Sequence, residues 1–231
     1  MLYGLLKQEK DGLFGPISTV TVNDNGIEGL DRIIRSNRIS PDIITDYTRV
    51  ALRGRLEVLQ GYSGSKEQYK EIQKQYLQII NLSKQVYDMV IVDIDRKLDN
   101  KTKIELINQT DVIVAMTTQK LDNLEKLQRA IAEGSLLKKE NTIITLGKYD
   151  EKSRFNMKNI SRNIIRMKDM VNTVPYNSVL FDDTQEGKII DMFIRFLSLT
   201  DKDENTFFVD EIKRLKETID QKEKLVKQMG K

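Results

Sequence analysis

The chain has 231 residues, 39% hydrophobic and 32% charged, with a net charge of +3, which suits one sizeable α/β domain with a helical appendage. It contains neither cysteine nor histidine, which excludes disulfides, thiolate zinc sites, cysteine nucleophiles and histidine acid–base catalysis. Carboxylates, lysines, arginines, hydroxyls and backbone groups remain, a set suited to phosphate chemistry, and no apolar run approaches the ~18 residues of a membrane span.

Met1-Leu2-Tyr3-Gly4-Leu5-Leu6 has no basic stretch leading into a long apolar core, so no signal peptide is read and a cytoplasmic location is expected. Val20 to Val22 reads as a strand and 27–37 as a helix, and Ser40-Pro41-Asp42 opens another with serine as N-cap and proline at the first helical position. No strand–glycine loop–helix unit opens the chain. Residues 1–54 are expected to be a helical, linker-like segment of the domain that follows.

From about residue 55 strands and helices alternate. Leu56 to Leu59 is a short strand, and Lys66 to Gln85 a helix with Tyr69, Ile72, Tyr76, Ile79 and Ile80 on one face. Met89-Val90-Ile91-Val92 is a continuous apolar, β-branched run, the pattern of a strand buried on both faces. Helix 99–109, strand 112–116, helix 120–133 with Gly134 as its C-cap, and strand 142–146 follow. Helix 156–168, strand 173–174 and helix 186–198 complete the series. Repeated βα units predict a mostly parallel, doubly wound sheet over 55–200.

Residues 201–231 form a charged extension, with a helix from Phe208 to Met229. Ile212, Leu215, Ile219, Val226 and Met229 fall near one seam that Lys222 interrupts, which reads as a docked helix or a short coiled coil. A membrane-surface helix ranks behind these, since acids interleave with the lysines and no Trp or Phe sits in the stripe.

Chemistry concentrates in Tyr87-Asp88-Met89-Val90-Ile91-Val92-Asp93-Ile94-Asp95. A carboxylate at the carboxyl end of a buried parallel strand faces the crevice where α/β sheets bind ligands, which makes Asp93 the first candidate and Asp95 the second. The plain alternative is a carboxylate capping the next helix. Gly61-Tyr62-Ser63-Gly64-Ser65-Lys66 has the context of an anion nest but the wrong spacing, and helix initiation explains it more simply. Lys148, Lys152, Arg154, Lys158, Arg162, Arg166 and Lys168 face only Asp150 and Glu151 between 148 and 168. Arg154, Lys158, Arg162 and Arg166 recur at helical spacing, as a solvated face, a non-specific DNA contact or a dock for an acidic partner.

YDMVIVDID, DVIVAMTTQ at 111–119, ITLGKYD at 144–150 and VPYNSVLFDDTQEGK at 174–188 occur in an order that resembles the MinD/ParA/CpaE-like ATPases. GIEGLDRIIRSNRISPDIITDYT is similar to the linker region of CpaE-like members from Gram-positive mobile elements, and the resemblance spans roughly 27–198. It implies a P-loop NTPase fold, incomplete at the N-terminus, with ATP and Mg²⁺ as cofactors. It implies a catalytic and metal role for Asp93, a metal role for Asp95, and an adenine-side loop of Gly147, Lys148, Pro175, Tyr176 and Asn177. It also implies an ATP-dependent positioning or partition switch that works as a homodimer with a protein partner from a partition, secretion or conjugation system, with non-specific DNA as a possible surface. Two departures stand out. Gly147 occupies the place of the family's base-reading Asn, and no G-x-x-x-x-G-K-[ST] occurs, so the β- and γ-phosphates lack their backbone cradle and lysine. The expectation is therefore a truncated switch domain, with a catalytically inactive docking module as the alternative.

Overall fold

Helix α1, Ile27–Arg35, sets Ile27, Leu30 and Ile34 on one buried stripe and closes an ion pair between Asp31 and Arg35, N···O 2.9 Å. Gly26 precedes it at φ 80°, where an added Cβ would stand 3.0 Å from the Gln60 carbonyl oxygen, so the turn and the close approach both call for glycine. The computed structural model describes residues 26–36, 40–62, 64–94, 97–133, 141–160, 162, 171–199 and 203–229. The expected strand Val20–Val22 and the Gly134 cap lie outside them.

The packing divides the chain into two compact units, residues 1–106 with 184–190, and residues 107–183 with 191–231. In the first unit a short 3-10 helix, Pro41–Asp46, follows α1, with Pro41 at its start. Ser40, expected as an N-cap, makes no side-chain capping bond. Strands β1, Arg49–Leu52, and β2, Leu56–Val58, form an antiparallel hairpin. The 56–59 strand is therefore paired locally and not as a βα unit, because the Arg53-Gly54-Arg55 turn returns the chain at once, with Gly54 at φ 66°. Helix α2, Lys66–Ile72, passes through a 3-10 turn at Gln73–Gln75 into α3, Tyr76–Val86. The Ser65 hydroxyl caps α2 by accepting from Gln68 N at 3.3 Å, which supports helix initiation as the role of the Gly61–Lys66 stretch. Ile27, Leu30, Ile34, Ile44, Ile72 and Ile79 form this unit's core.

The run Met89–Val92 departs from its prediction. It belongs to no strand, and Met89, Ile91 and Val92 are exposed, Ile91 by 83%. A continuous apolar run becomes a buried strand only where ladder partners and covering helices meet it, and no strand of the described residues pairs with it. Order resumes at buried Leu98 and at α4, Asn100–Asn108, which Asp99 caps by accepting from Thr102 N at 2.9 Å and Thr102 Oγ1 at 2.7 Å.

The second unit is built on three parallel strands in the order β3, Ile113–Thr117; β4, Thr142–Tyr149; β5, Val171–Pro175. Residues 142–146 of the central strand are all buried. Ile144, Leu146 and Val171 pack against Leu124 of α5, Leu121–Ala132, and Ile160 of the single turn α6, Met157–Ile160. The described part of the expected 156–168 helix is that turn. After β5 come α7, Ser178–Glu186, and α8, Ile189–Phe196, where a single helix 186–198 was expected. Gly187, at φ 78°, sits between the two helices. The carboxyl-terminal helix α9, Thr206–Met229, is docked: Phe208 packs with Met192 and Phe196, and Thr218 Oγ1 donates to Asn172 Oδ1 at 3.1 Å. A further hydroxyl–carboxylate bond joins Thr173 of β5 to Glu211.

Candidate functional site

Parallel α/β sheets bind ligands beyond the carboxyl ends of their strands, and five of the predicted site residues meet there, at the ends of β4 and β5. Gly147 pairs with Val174 and Tyr149 with Pro175, so the register slips by one residue at Lys148. Lys148 adopts φ 52°, the left-handed region, among the described residues the one non-glycine with positive φ. A bulge at the end of a central strand bends the backbone and redirects the residue it contains, and such strained positions concentrate at binding sites. Its side chain is exposed.

The bulge is held from both sides. On the β3 side, Gln119 accepts from Asp150 N at 2.8 Å through Oε1, while its Nε2 donates to the Asp150 carbonyl at 2.9 Å and the Phe155 carbonyl at 2.8 Å. On the β5 side, Tyr176 N donates to the Tyr149 carbonyl at 3.3 Å. The Tyr149 hydroxyl then accepts from Met157 N at 3.0 Å and so caps α6. Pro175 is buried, whereas Tyr176 is 59% exposed and offers an aromatic face. Asn177 caps α7, accepting from Leu180 N at 2.8 Å, and donates to Asn205 Oδ1 at 2.7 Å. Thus Asn177 has a structural occupation for both ends of its amide. Gln119 escaped notice as a site residue; its only sequence signal is a long amide directly after an apolar strand.

The remaining candidates are on other segments of the chain. Asp93 is exposed, in the irregular 89–94 stretch of the first unit, and Asp95 lies outside the described residues. Arg154 is exposed in the turn after β4, and its carbonyl accepts from Asn159 Nδ2 at 2.8 Å. Lys158 is exposed on α6 and Arg162 is exposed beyond it, while Arg166 lies outside the described residues.

Among the described residues no three carboxylates cluster as a metal cage. That is compatible with Mg²⁺, which takes one or two carboxylates and completes its shell with phosphate oxygens and water. The triphosphate itself does not fit these residues: neither a glycine cradle nor its lysine is in the sequence.

No family model matches the chain, and no curated protein does. Among solved structures, the chain is similar to a ParA family ATPase from Chlorobium tepidum TLS, with a TM-score of 0.61 and 15% identity over 83% of this chain and 84% of that one. The likeness is one of fold. It extends to the α/β architecture with a parallel sheet and many helices, as the order of the sequence landmarks implied.

Proposed function

We propose that this chain supplies the base-side half and the switch carboxylate of an ATP-dependent positioning switch of the ParA/MinD type. In this reading the phosphate-binding loop is provided by polypeptide beyond these 231 residues. One observation carries it: a strained bulge at Lys148, clamped by Gln119, at the carboxyl end of the central strand of a ParA-like sheet. Gly147, Lys148, Pro175 and Tyr176 would flank the base, with backbone groups standing in for the absent Asn side chain. Asp93, with Asp95, would orient Mg²⁺ once a phosphate loop is present, and the complete protein would act as a cytoplasmic homodimer. The basic residues Arg154, Lys158, Arg162 and Arg166 would meet DNA phosphates or an acidic partner of a partition, secretion or conjugation assembly. On this view residues 1–54, 55–200 and 201–231 serve as linker segment, ATPase-like core and docked helix.

A second reading has its own support in the missing phosphate loop: a catalytically inactive module that keeps the sheet and docks a partner. Calorimetry with Mg²⁺-ATP separates the two, run on this chain and on a form extended by its upstream coding sequence. Binding by the extended form alone is the expected result. Binding by neither form abandons the switch in favour of the docking module.

A further inference from the structure

The β1–β2 hairpin has a chemistry that the proposed switch does not use. Residues 52–56 are exposed without interruption, and a Cβ built on Gly54 meets nothing within 4 Å, so nothing among the described residues covers the tip. Two apolar side chains stand on it in the open, Leu52 at 40% exposure and Leu56 at 39%, while the exposed Val50 lies toward the base, opposite Glu57. Leu52 pairs directly with Leu56, which joins them into one patch. Arg53 and Arg55 flank Gly54 and are exposed, with no ion pair to either among the described residues. The hairpin's one acid is engaged at its base, where Glu57 accepts from Thr48 Oγ1 at 2.7 Å and from the Tyr87 hydroxyl. Burial, and then that bond, push the Tyr87 hydroxyl pKa up. The base is therefore anchored, and Glu57, held there by two hydroxyls, forms no ion pair with Arg53 or Arg55 among the described residues.

We propose that this hairpin tip inserts at the surface of an anionic lipid bilayer, with Leu52 and Leu56 entering the acyl boundary and Arg53 and Arg55 holding headgroup phosphates. Charge complementarity selects an anionic partner. The exposed leucines separate a bilayer from a nucleic acid, since phosphate contact alone leaves them in water whereas the interfacial region buries them. The carboxyl-terminal helix α9, whose acids alternate with its lysines, has no part in this contact.

The test is co-sedimentation of the full chain with vesicles of phosphatidylglycerol and phosphatidylcholine, beside pure phosphatidylcholine vesicles and a labelled DNA duplex. Binding to the anionic vesicles that falls as salt rises is expected. The pair Arg53→Gln, Arg55→Gln should lower partitioning by roughly twentyfold, at about fivefold per arginine near an anionic leaflet. Leu52→Ser with Leu56→Ser should lower it by about tenfold, and Arg53→Lys with Arg55→Lys should retain it. All substituted side chains are exposed, and unchanged circular dichroism verifies that each variant folds. Failure of the wild-type chain to bind anionic vesicles overturns the proposal. So does binding unchanged in both loss-of-function pairs, or a loss on duplex DNA with vesicle binding intact. None of these outcomes depends on nucleotide.

Discussion

Two runs of this chain have nearly the same chemistry and opposite fates. Ile143-Ile144-Thr145-Leu146 is buried completely at the centre of a parallel sheet, while Met89-Val90-Ile91-Val92 is irregular and largely in the open. The first has a strand on each side and two packed hydrophobic clusters nearby. The second has no ladder partner among the described residues. Apolarity and β-branching make a strand possible, but neighbours with free backbone groups make it real.

The largest expected effect tests that contrast directly. Leu146→Ala should destabilise the second unit by about 2–5 kcal/mol, the range for a leucine removed from a packed core. Ile91→Ala should change stability by no more than about 0.5 kcal/mol, as exposed positions do. Urea denaturation measures both. If the two substitutions are equally damaging, Met89–Val92 is paired in solution and the contrast collapses.

The same contrast explains what the sequence made legible. Strands 113–117, 142–149 and 171–175 and helices such as α5 lie within a few residues of their expected places, because each lies between βα neighbours that meet its periodicity. Met89–Val92 was misjudged because its pattern says only that it could be buried, and the neighbour that decides the matter is not local. Helix α7 was overlooked although Asn177 is a good N-cap, since VPYNSVLFDDTQEG read as a loop segment. The Lys148 bulge and the Gln119 clamp have no local pattern at all. They are tertiary facts, arising where strand ends from distant parts of the chain meet.

Gln119 comes next in expected effect. Gln119→Ala removes three hydrogen bonds that fix Asp150 and Phe155, for a loss of about 1–3 kcal/mol, less than the simple sum because the groups it leaves are near water. Hydrogen exchange should accelerate at Asp150. Gln119→Glu retains the acceptor for Asp150 N but sets a carboxylate oxygen against the Asp150 and Phe155 carbonyls, so it should lose at least as much as alanine. An alanine variant with wild-type protection at Asp150 would show that the end of β4 orders itself, as Met89–Val92 does not.

Order returns after the irregular run at Asp99, and pH probes how. The Thr102 backbone N–H, and after it the Thr102 hydroxyl, hold the Asp99 carboxyl below the usual carboxylate range. A depressed folded-state pKa gives stability that is present above the unfolded value and is lost as pH falls through the folded one. Asp99→Ala should therefore cost about 1 kcal/mol near neutral pH. The gap between variant and wild type should close below about pH 4. Parallel melts at pH 7 and pH 3 measure it, and a gap independent of pH would assign the cap to something other than the carboxylate.

The smallest effect concerns where the ordered strand stops. Lys148 occupies the left-handed region, at about 1–2 kcal/mol for a residue with a Cβ. Glycine removes that strain but brings a more disordered unfolded chain, worth about 0.4–1 kcal/mol. The balance predicts that Lys148→Gly raises stability by between about zero and about 1.6 kcal/mol, readable as a small upward shift of the thermal midpoint. A residue that strains the fold and whose side chain lies exposed at the carboxyl end of the sheet is one the fold itself does not require. If the glycine variant is instead less stable, the lysine side chain anchors the bulge, and its strain ceases to argue for a ligand. If it is more stable, the lysine is retained at the expense of the fold, and the carboxyl end of the sheet is where its use should be sought.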